Sequence, residues 1–201
     1  YMNRMASELA SANPPWNRVI PVQKAVPLSL DILPFEDALH LMSKSDIIAL
    51  GKCPCRTLEA NCDKPLEVCM AFDGVARFLI ERKMAKPIDI EKAQEILQLS
   101  EEAALVHTGS NNSDRLLFLC NCCPCCCHFL MLITKGFSNG GLAKSSYLAR
   151  YETEECSGCG ICEERCPTGA FFVEEKHFEA GKCLGCGLCV STCPNEAISL
   201  I

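Results

Sequence analysis

A chain of 201 residues, 49% hydrophobic and 22% charged, has the composition of a folded protein with room for one sizeable or two small domains. Its net charge of −6 argues against a nucleic-acid partner, and its eighteen cysteines would form a disulfide scaffold only in a secreted setting. No charged stretch followed by an apolar core opens the sequence, so a reduced, cytoplasmic environment with metal-bound thiolates is expected.

Prolines at 14, 15, 21, 27 and 34 preclude a long helix at the start, and residues 1–34 read as an extended arm. Within it, Arg18 to Val22 and Val26 to Leu30 read as short extended segments. Such an arm would lie over a partner or over the chain's own second domain. A helix is expected from Phe35 to Met42 and a buried strand from Asp46 to Leu50. Cys53-Pro54-Cys55-Arg56 follows, then Cys62 and Cys69. The spacing predicts a helix over 65–82, with Leu66, Cys69, Val75, Phe78 and Leu79 on its apolar face. A second amphipathic helix is predicted from Asp89 to Leu105, with Ile90, Ala93, Ile96, Leu97 and Ala104 facing inward. His107 to Asp114 reads as a polar turn and Leu116 to Leu119 as a strand.

The strand leads into Cys120-Asn-Cys122-Cys123-Pro124-Cys125-Cys126-Cys127-His128, six thiols in eight positions. The apolar window from Leu116 to Ile133 approaches bilayer length, but its six cysteines, Asn121, Pro124 and His128 exclude membrane insertion. Single cysteines pack well as small hydrophobes, yet so many vicinal unmetallated thiols are an oxidation hazard. Cys-Pro-Cys recurs at 53–55 and 123–125, and ten cysteines lie upstream of residue 130, where two cubanes would use eight. Immediate neighbours such as Cys125, Cys126 and Cys127 are poorly placed to bind different irons of one cubane, so adjacent thiols should diverge to separate centres. The two groups are expected to converge on one or two further iron–sulfur clusters, with individual ligands unassigned. A c-type haem is excluded because Pro124 stands where the first cysteine of its motif belongs. His128 is expected to pack rather than to ligate, and Asp46, Asp63 and Asp73 to lie at the surface.

Residues 138–150 read as a linker after a cysteine-rich domain over 35–137. Gly136 and Gly141 imitate a phosphate loop, but Leu142 stands where lysine is required, and nothing signals ATP, NAD or flavin. The last segment, 151–201, carries Cys156-x-x-Cys159-x-x-Cys162-x-x-x-Cys166-Pro167 and repeats it 27 residues later as Cys183, Cys186, Cys189, Cys193 and Pro194. Three thiolates on a tight loop reach three irons of one cubane, and the fourth, before proline, serves the neighbouring cluster. The spacing therefore assigns Cys156, Cys159, Cys162 and Cys193 to one [4Fe-4S] cluster, and Cys183, Cys186, Cys189 and Cys166 to the other. Gly158, Gly160, Gly185 and Gly187 let the backbone wrap each cofactor and aim N–H groups at sulfur. Zinc ribbons also use Cys-x-x-Cys pairs, but the duplicated loop with a distant Cys-Pro is the more specific iron–sulfur pattern.

On these residues, 151–201 resembles a bacterial-type two-cluster 2[4Fe-4S] ferredoxin. Cys-Pro-Cys-Arg, Pro65-Leu-Glu-x-Cys69, Leu105-Val-His107 and Cys-Asn-Cys-Cys-x-Cys-Cys-Cys ahead of that unit resemble a family of iron–sulfur proteins of anaerobes that carry the ferredoxin label. The resemblance spans roughly 18–201, without the winged-helix-like segment that many relatives carry and with His128 in place of a small residue. It implies electron transfer.

The expected fold is α+β: a cysteine-rich α/β N-terminal domain plus a ferredoxin-like domain of two short β-hairpins and two small helices. The expected function is an electron-transfer subunit of an oxidoreductase, relaying single low-potential electrons. Residues 151–201 hold nine glutamates against Arg165, Lys176 and Lys182, so a redox partner protein is expected to dock on this acidic face. The competing readings are a reductase with a substrate-reducing cluster in the N-terminal domain, and an iron–sulfur sensor.

Overall fold

The computed structural model describes residues 8, 11–27, 36–111, 115–136 and 141–201. Its main sheet has seven strands: β1 (Asn17–Val19), β2 (Ile48–Lys52), β3 (Glu67–Phe72), β4 (Ala85–Ile88), β5 (Val106–Ser110), β6 (Phe118–Cys122) and β7 (Leu142–Ala143), in the order β4-β2-β3-β6-β5-β1-β7. All neighbours are antiparallel except β1 and β7. The helices of this part are α1 (Ala38–Ser43), α2 (Pro54–Glu59), α3 (Asp73–Glu81), α4 (Ile90–Glu102) and α5 (His128–Thr134).

Both faces of the sheet are covered. Val68, Met70 and Phe72 of β3 alternate onto one face, where they pack with Leu50 of β2, Leu41 and Met42 of α1 and Ala93 and Ile96 of α4. On the other face Ala71 meets Ala49 and Ala76 of α3. Helix α4 begins where Asp89 accepts a 2.8 Å hydrogen bond from the Lys92 amide, a side-chain cap that satisfies one of the free N–H groups of the first turn.

Four expectations need correction. The helix over 65–82 is instead strand β3 followed by α3, so Cys69 lies on a central strand. The run Val68–Phe72 is apolar on both faces because β3 pairs with β2 and β6 and is covered on both sides, and such a run has no strand period to read. The turn at 107–114 is strand β5 from Val106 to Ser110, buried throughout, with residues 112–114 outside the described set. Its polar side chains find partners inside: Nδ1 of His107 lies 2.6 Å from Oδ1 of Asn121 in β6, and Thr108 Oγ1 lies 3.4 Å from Cys122 Sγ. The strand expected at Leu116 to Leu119 runs later, as β6, and carries Cys120 and Cys122. The helix expected from Phe35 starts at Ala38, and Phe35 and residues 28–30 of the second extended segment lie outside the described residues.

The last fifty residues fold as small elements: β8 (Ala149–Tyr151), α6 (Ile161–Arg165), β9 (Phe171–Phe172), β10 (His177–Phe178) and β11 (Ile198–Leu200). Only β9 and β10 make a hairpin; β8 and β11, at opposite ends of the unit, pair with each other. The second small helix is replaced by turns around Leu188 to Thr192.

This unit is tied to the sheet by sequence-distant contacts. After β1 the chain continues to Val22, whose amide donates to the Cys186 carbonyl at 2.9 Å. Arg165 reaches the end of α4, donating to the carbonyls of Glu101 (2.6 Å) and Glu102 (3.2 Å). Lys24 pairs with Glu101 at 2.7 Å, and buried Glu36 accepts from the Ser146 amide at 2.6 Å. One apolar core accordingly runs through Val19, Val106, Cys122, Cys127 and Leu130 of the first part and Cys162, Leu184, Cys186, Leu188 and Cys189 of the second.

Candidate iron–sulfur sites

The two C-terminal loops repeat in geometry as in sequence. Gly158 and Gly160 take φ of +75° and +77°, and Gly185 and Gly187 take +70° and +79°. These left-handed turns fold each loop back on itself, so the Gly158 amide donates to Cys156 Sγ at 3.3 Å and the Gly185 amide to Cys183 Sγ at 3.4 Å. The Ala170 amide donates to Cys166 Sγ at 3.2 Å.

Cys156, Cys159, Cys162 and Cys193 line one small cavity with Tyr151, and Cys166, Cys183, Cys186 and Cys189 line another. Each cavity thus draws three thiols from one loop and the fourth from the other. Burial pushes the Cys162 thiol up to about 11 and Cys186 up to about 12, so as bare thiols both would stay protonated. Metal coordination reverses this by displacing the proton. Cys156, by contrast, is lowered by the Tyr151 hydroxyl and then by the Gly158 amide.

The loops differ in surroundings. A Cβ at Gly158 or Gly160 would meet nothing within 4 Å. At Gly185 it would lie 2.1 Å from Ser145 Oγ and 2.2 Å from the Tyr147 carbonyl, and at Gly187 it would lie 2.7 Å from the Ala25 side chain. The loop of Cys183 is therefore clamped against the sheet-bearing part, whereas the loop of Cys156 faces outward with Cys159 exposed. Gly185→Ala is expected to destabilise the protein by about 2–5 kcal/mol, from a strained φ and overpacking together, against about 1–2 kcal/mol for Gly158→Ala. Thermal unfolding of the two variants, purified without oxygen, measures the difference.

The ten upstream cysteines come from the start of α2, the loop after it, β3, β6 and the turn before α5. Strand pairing brings Cys69 beside Cys120, while the turn before α5 presents Cys123, Cys125 and Cys126 together to Cys62. They fall into two sets. The sulfurs of Cys62, Cys123, Cys125 and Cys126 all lie within 4.8 Å of one another. Measured pairs are 3.9 Å for Cys62 to Cys123, 3.8 Å for Cys62 to Cys126 and 3.9 Å for Cys125 to Cys126.

The remaining six form a connected set on the sheet face and around it. Cys120 and Cys122 stand two apart on β6 and so share a face. Cys69 on β3 interacts with Cys120 and Cys53, Cys120 with Cys122, Cys122 with Cys127, and Cys55 with Cys127 and Cys69. Hydrogen bonds from Cys120 and Cys53 lower the Cys69 thiol, while its partner Cys53 is raised, chiefly by that same bond. Cys126 belongs to the first set and Cys127 to the second, but Cys125 and Cys126, also neighbours and expected to diverge, share the first set with their sulfurs 3.9 Å apart.

Arg56, which the sequence reading did not single out, sits between the two sets with 1% exposure. Its guanidinium donates to the Pro65 carbonyl, to the Asn121 carbonyl at 3.0 Å and to Cys123 Sγ at 3.6 Å. Its Nε, also buried, meets no acceptor among the described residues. Burial works against its charge, but the sulfurs of Cys123, Cys53 and Cys62 outweigh that and raise its pKa. For Cys123 burial opposes ionisation, yet Cys125 and Arg56 leave it lowered to about 7. A buried cation with a spare donor beside many thiols fits an anionic sulfur-rich group. Asn121, fully buried, holds the scaffold by donating to the Val68 carbonyl at 2.6 Å and meeting His107. The one signal for Arg56 in the sequence was its place directly after Cys-Pro-Cys.

His128 is held by Glu59, 2.8 Å from Nε2 to Oε1. Asp46 and Asp63 are exposed, and Asp73 accepts from the Asp46 amide at 2.9 Å. Lys144 donates to the Gly181 carbonyl at 2.6 Å. No helix among the described residues is long and apolar enough to cross a membrane.

No curated protein and no solved structure matches the chain. A known family does match in the C-terminal region: residues 148–194 fit the model of the 4Fe-4S dicluster domain, which together with the paired four-cysteine cavities supports a ferredoxin-type 4Fe-4S domain there.

Proposed function

We propose that this chain is an electron-transfer protein that exchanges single electrons with a redox partner through its C-terminal unit. Cys156, Cys159, Cys162 and Cys193 would hold one [4Fe-4S] cluster, and Cys183, Cys186, Cys189 and Cys166 the other. Cys62, Cys123, Cys125 and Cys126 would hold a further cubane, and the other upstream thiols additional iron. Bound there, such clusters take up and release one electron at a time at low potential, roughly −400 mV or below for all-cysteine sites.

The observation that carries this reading is the arrangement of the thiol sets along continuous cores. Cys123 and Cys126 are buried in the core of the sheet together with Cys53, and Cys62, Cys125, Cys55 and Cys69 border that core. Cys122 and Cys127 of the six-thiol set belong to the core that also contains Cys186, Cys189 and Cys162, and Cys120 packs against it. The sets therefore follow one another from the sheet interior to the exposed loop of Cys156, a layout suited to relay. A sensor or a stand-alone enzyme does not require an exposed terminal site.

All nine glutamates of the C-terminal unit are exposed, and Glu154, Glu155 and Glu164 flank the outward loop. A basic partner would be steered to this face. With a basic c-type cytochrome as acceptor, the second-order rate of oxidation of the reduced protein is expected to fall as ionic strength rises. The triple variant Glu154→Gln, Glu155→Gln, Glu164→Gln is expected to lower that rate and flatten its salt dependence. A rate indifferent to both changes would remove this docking face.

A further inference from the structure

The six cysteines outside the compact four-thiol set have no assigned occupant, and their number is wrong for a cubane. A [4Fe-4S] cluster takes one thiolate per iron, four in all. Cys53, Cys55, Cys69, Cys120, Cys122 and Cys127 nevertheless all line one cavity, where Cys53 meets Cys69, Cys69 meets Cys120, Cys120 meets Cys122 and Cys122 meets Cys127, with Cys55 close enough to Cys127 and Cys69 to feel their charge. Two surplus thiols would be left buried or half-buried beside the cluster.

Size separates this cavity from the others. The two four-cysteine cavities of the dicluster unit have free volumes of about 20 and 10 Å³, whereas the six-thiol cavity has about 410 Å³. It extends to Cys123 and Cys126 at one side and is bounded elsewhere mostly by apolar residues, among them Val75, Leu79, Met84 and Phe129, with Asn17 and Lys52 at its edge. Sites built for a cubane in this same chain close tightly; this one does not. Its buried positive charge is supplied by Arg56, which lines the cavity and keeps a buried Nε without an acceptor among the described residues, while Lys52 lines it from the exposed side. Six thiolates on one polynuclear core carry more negative charge than four, and a buried cation offsets it.

We propose that Cys53, Cys55, Cys69, Cys120, Cys122 and Cys127 together hold a single iron–sulfur cluster of more than four irons, distinct from the cubane site of Cys62, Cys123, Cys125 and Cys126. The proposal rests on the reading that these thiols bind iron, and not on the electron-transfer role.

The test is iron and acid-labile sulfide per chain, with Mössbauer spectra, on full-length protein purified without oxygen. The double variant Cys55→Ala, Cys127→Ala removes two thiols that a cubane on the other four would not need. Loss of more than about four irons relative to the parent, with the dicluster signals retained, is the expected result. Unchanged iron, or loss of about four, overturns the proposal. Should this variant fail to fold, Cys62→Ala, Cys125→Ala removes the compact site instead. It is expected to keep about eight irons in the dicluster unit plus more than about four elsewhere, and a total near twelve overturns the proposal. A parent protein with only about eight irons would also overturn it while leaving the dicluster reading intact. Iron-free parent protein would remove both.

Discussion

Arg56→Met is expected to strip iron from both upstream thiol sets and to cost about 3–5 kcal/mol of stability, the range for removing one partner from a buried charge constellation. The Asn121 and Pro65 carbonyls lose their donor, and the sulfurs of Cys123, Cys53 and Cys62 lose the one cation placed between them. A loss of that size is a large part of the total of about 5–15 kcal/mol typical of a native protein. Arg56→Lys is the discriminating partner. It keeps the charge but cannot present a planar fork to two carbonyls and a sulfur at once, so iron should be largely retained while stability still falls. Anaerobic denaturant unfolding, followed by the sulfide-to-iron charge-transfer absorbance and by far-ultraviolet circular dichroism, separates the two effects. Full iron and unchanged stability in the methionine variant would show that the charge has no part in these sites.

The second large effect concerns the crossed cysteines. Cys193 follows the loop of Cys183 in sequence but lines the cavity of Cys156, Cys159 and Cys162, and Cys166 does the reverse. Cys193→Ala is therefore expected to remove about four irons from the outward site and stop electron delivery to a partner, while the inner site stays loaded. Cys166→Ala should empty the inner site, which lies in the shared core with Leu184 and Leu188, and should destabilise the protein more. Bleaching by a chelator tells them apart. The cluster left in the Cys193 variant, clamped behind Ser145 and Tyr147, should bleach slowly, and that left in the Cys166 variant, beside exposed Cys159, should bleach fast. The opposite order would mean that each loop takes the cysteine that follows it.

How much of this was legible beforehand depends on the range of the interactions. The C-terminal pattern is local: three thiols on one loop, left-handed turns at Gly158, Gly160, Gly185 and Gly187, and proline after the fourth cysteine are all written within a dozen residues. The amphipathic helix α4 was equally readable, because a helix with one wet face leaves its period in the sequence. The segment Glu67–Phe72 left none, since after exposed Glu67 a central strand covered on both sides is apolar from Val68 to Phe72 and resembles a helix of the same composition. Val106–Ser110 misled in the other direction. Its His, Thr and Ser looked like a turn, but Asn121, Cys122 and the Leu117 amide meet those side chains inside the sheet.

The sequence by itself determined that this chain is rich in metal-ready thiols, that its last fifty residues carry a duplicated two-cluster pattern, and that its negative charge is concentrated there. Only the tertiary structure divided the ten upstream cysteines into four and six, put Arg56 between them, and turned one C-terminal loop inward and the other out. The physical reason is that these relations arise between strands and turns more than fifty residues apart in the chain, such as Arg56 with Asn121 and Cys62 with Cys123. Pairing registers and packing set such distances, and no local spacing encodes them.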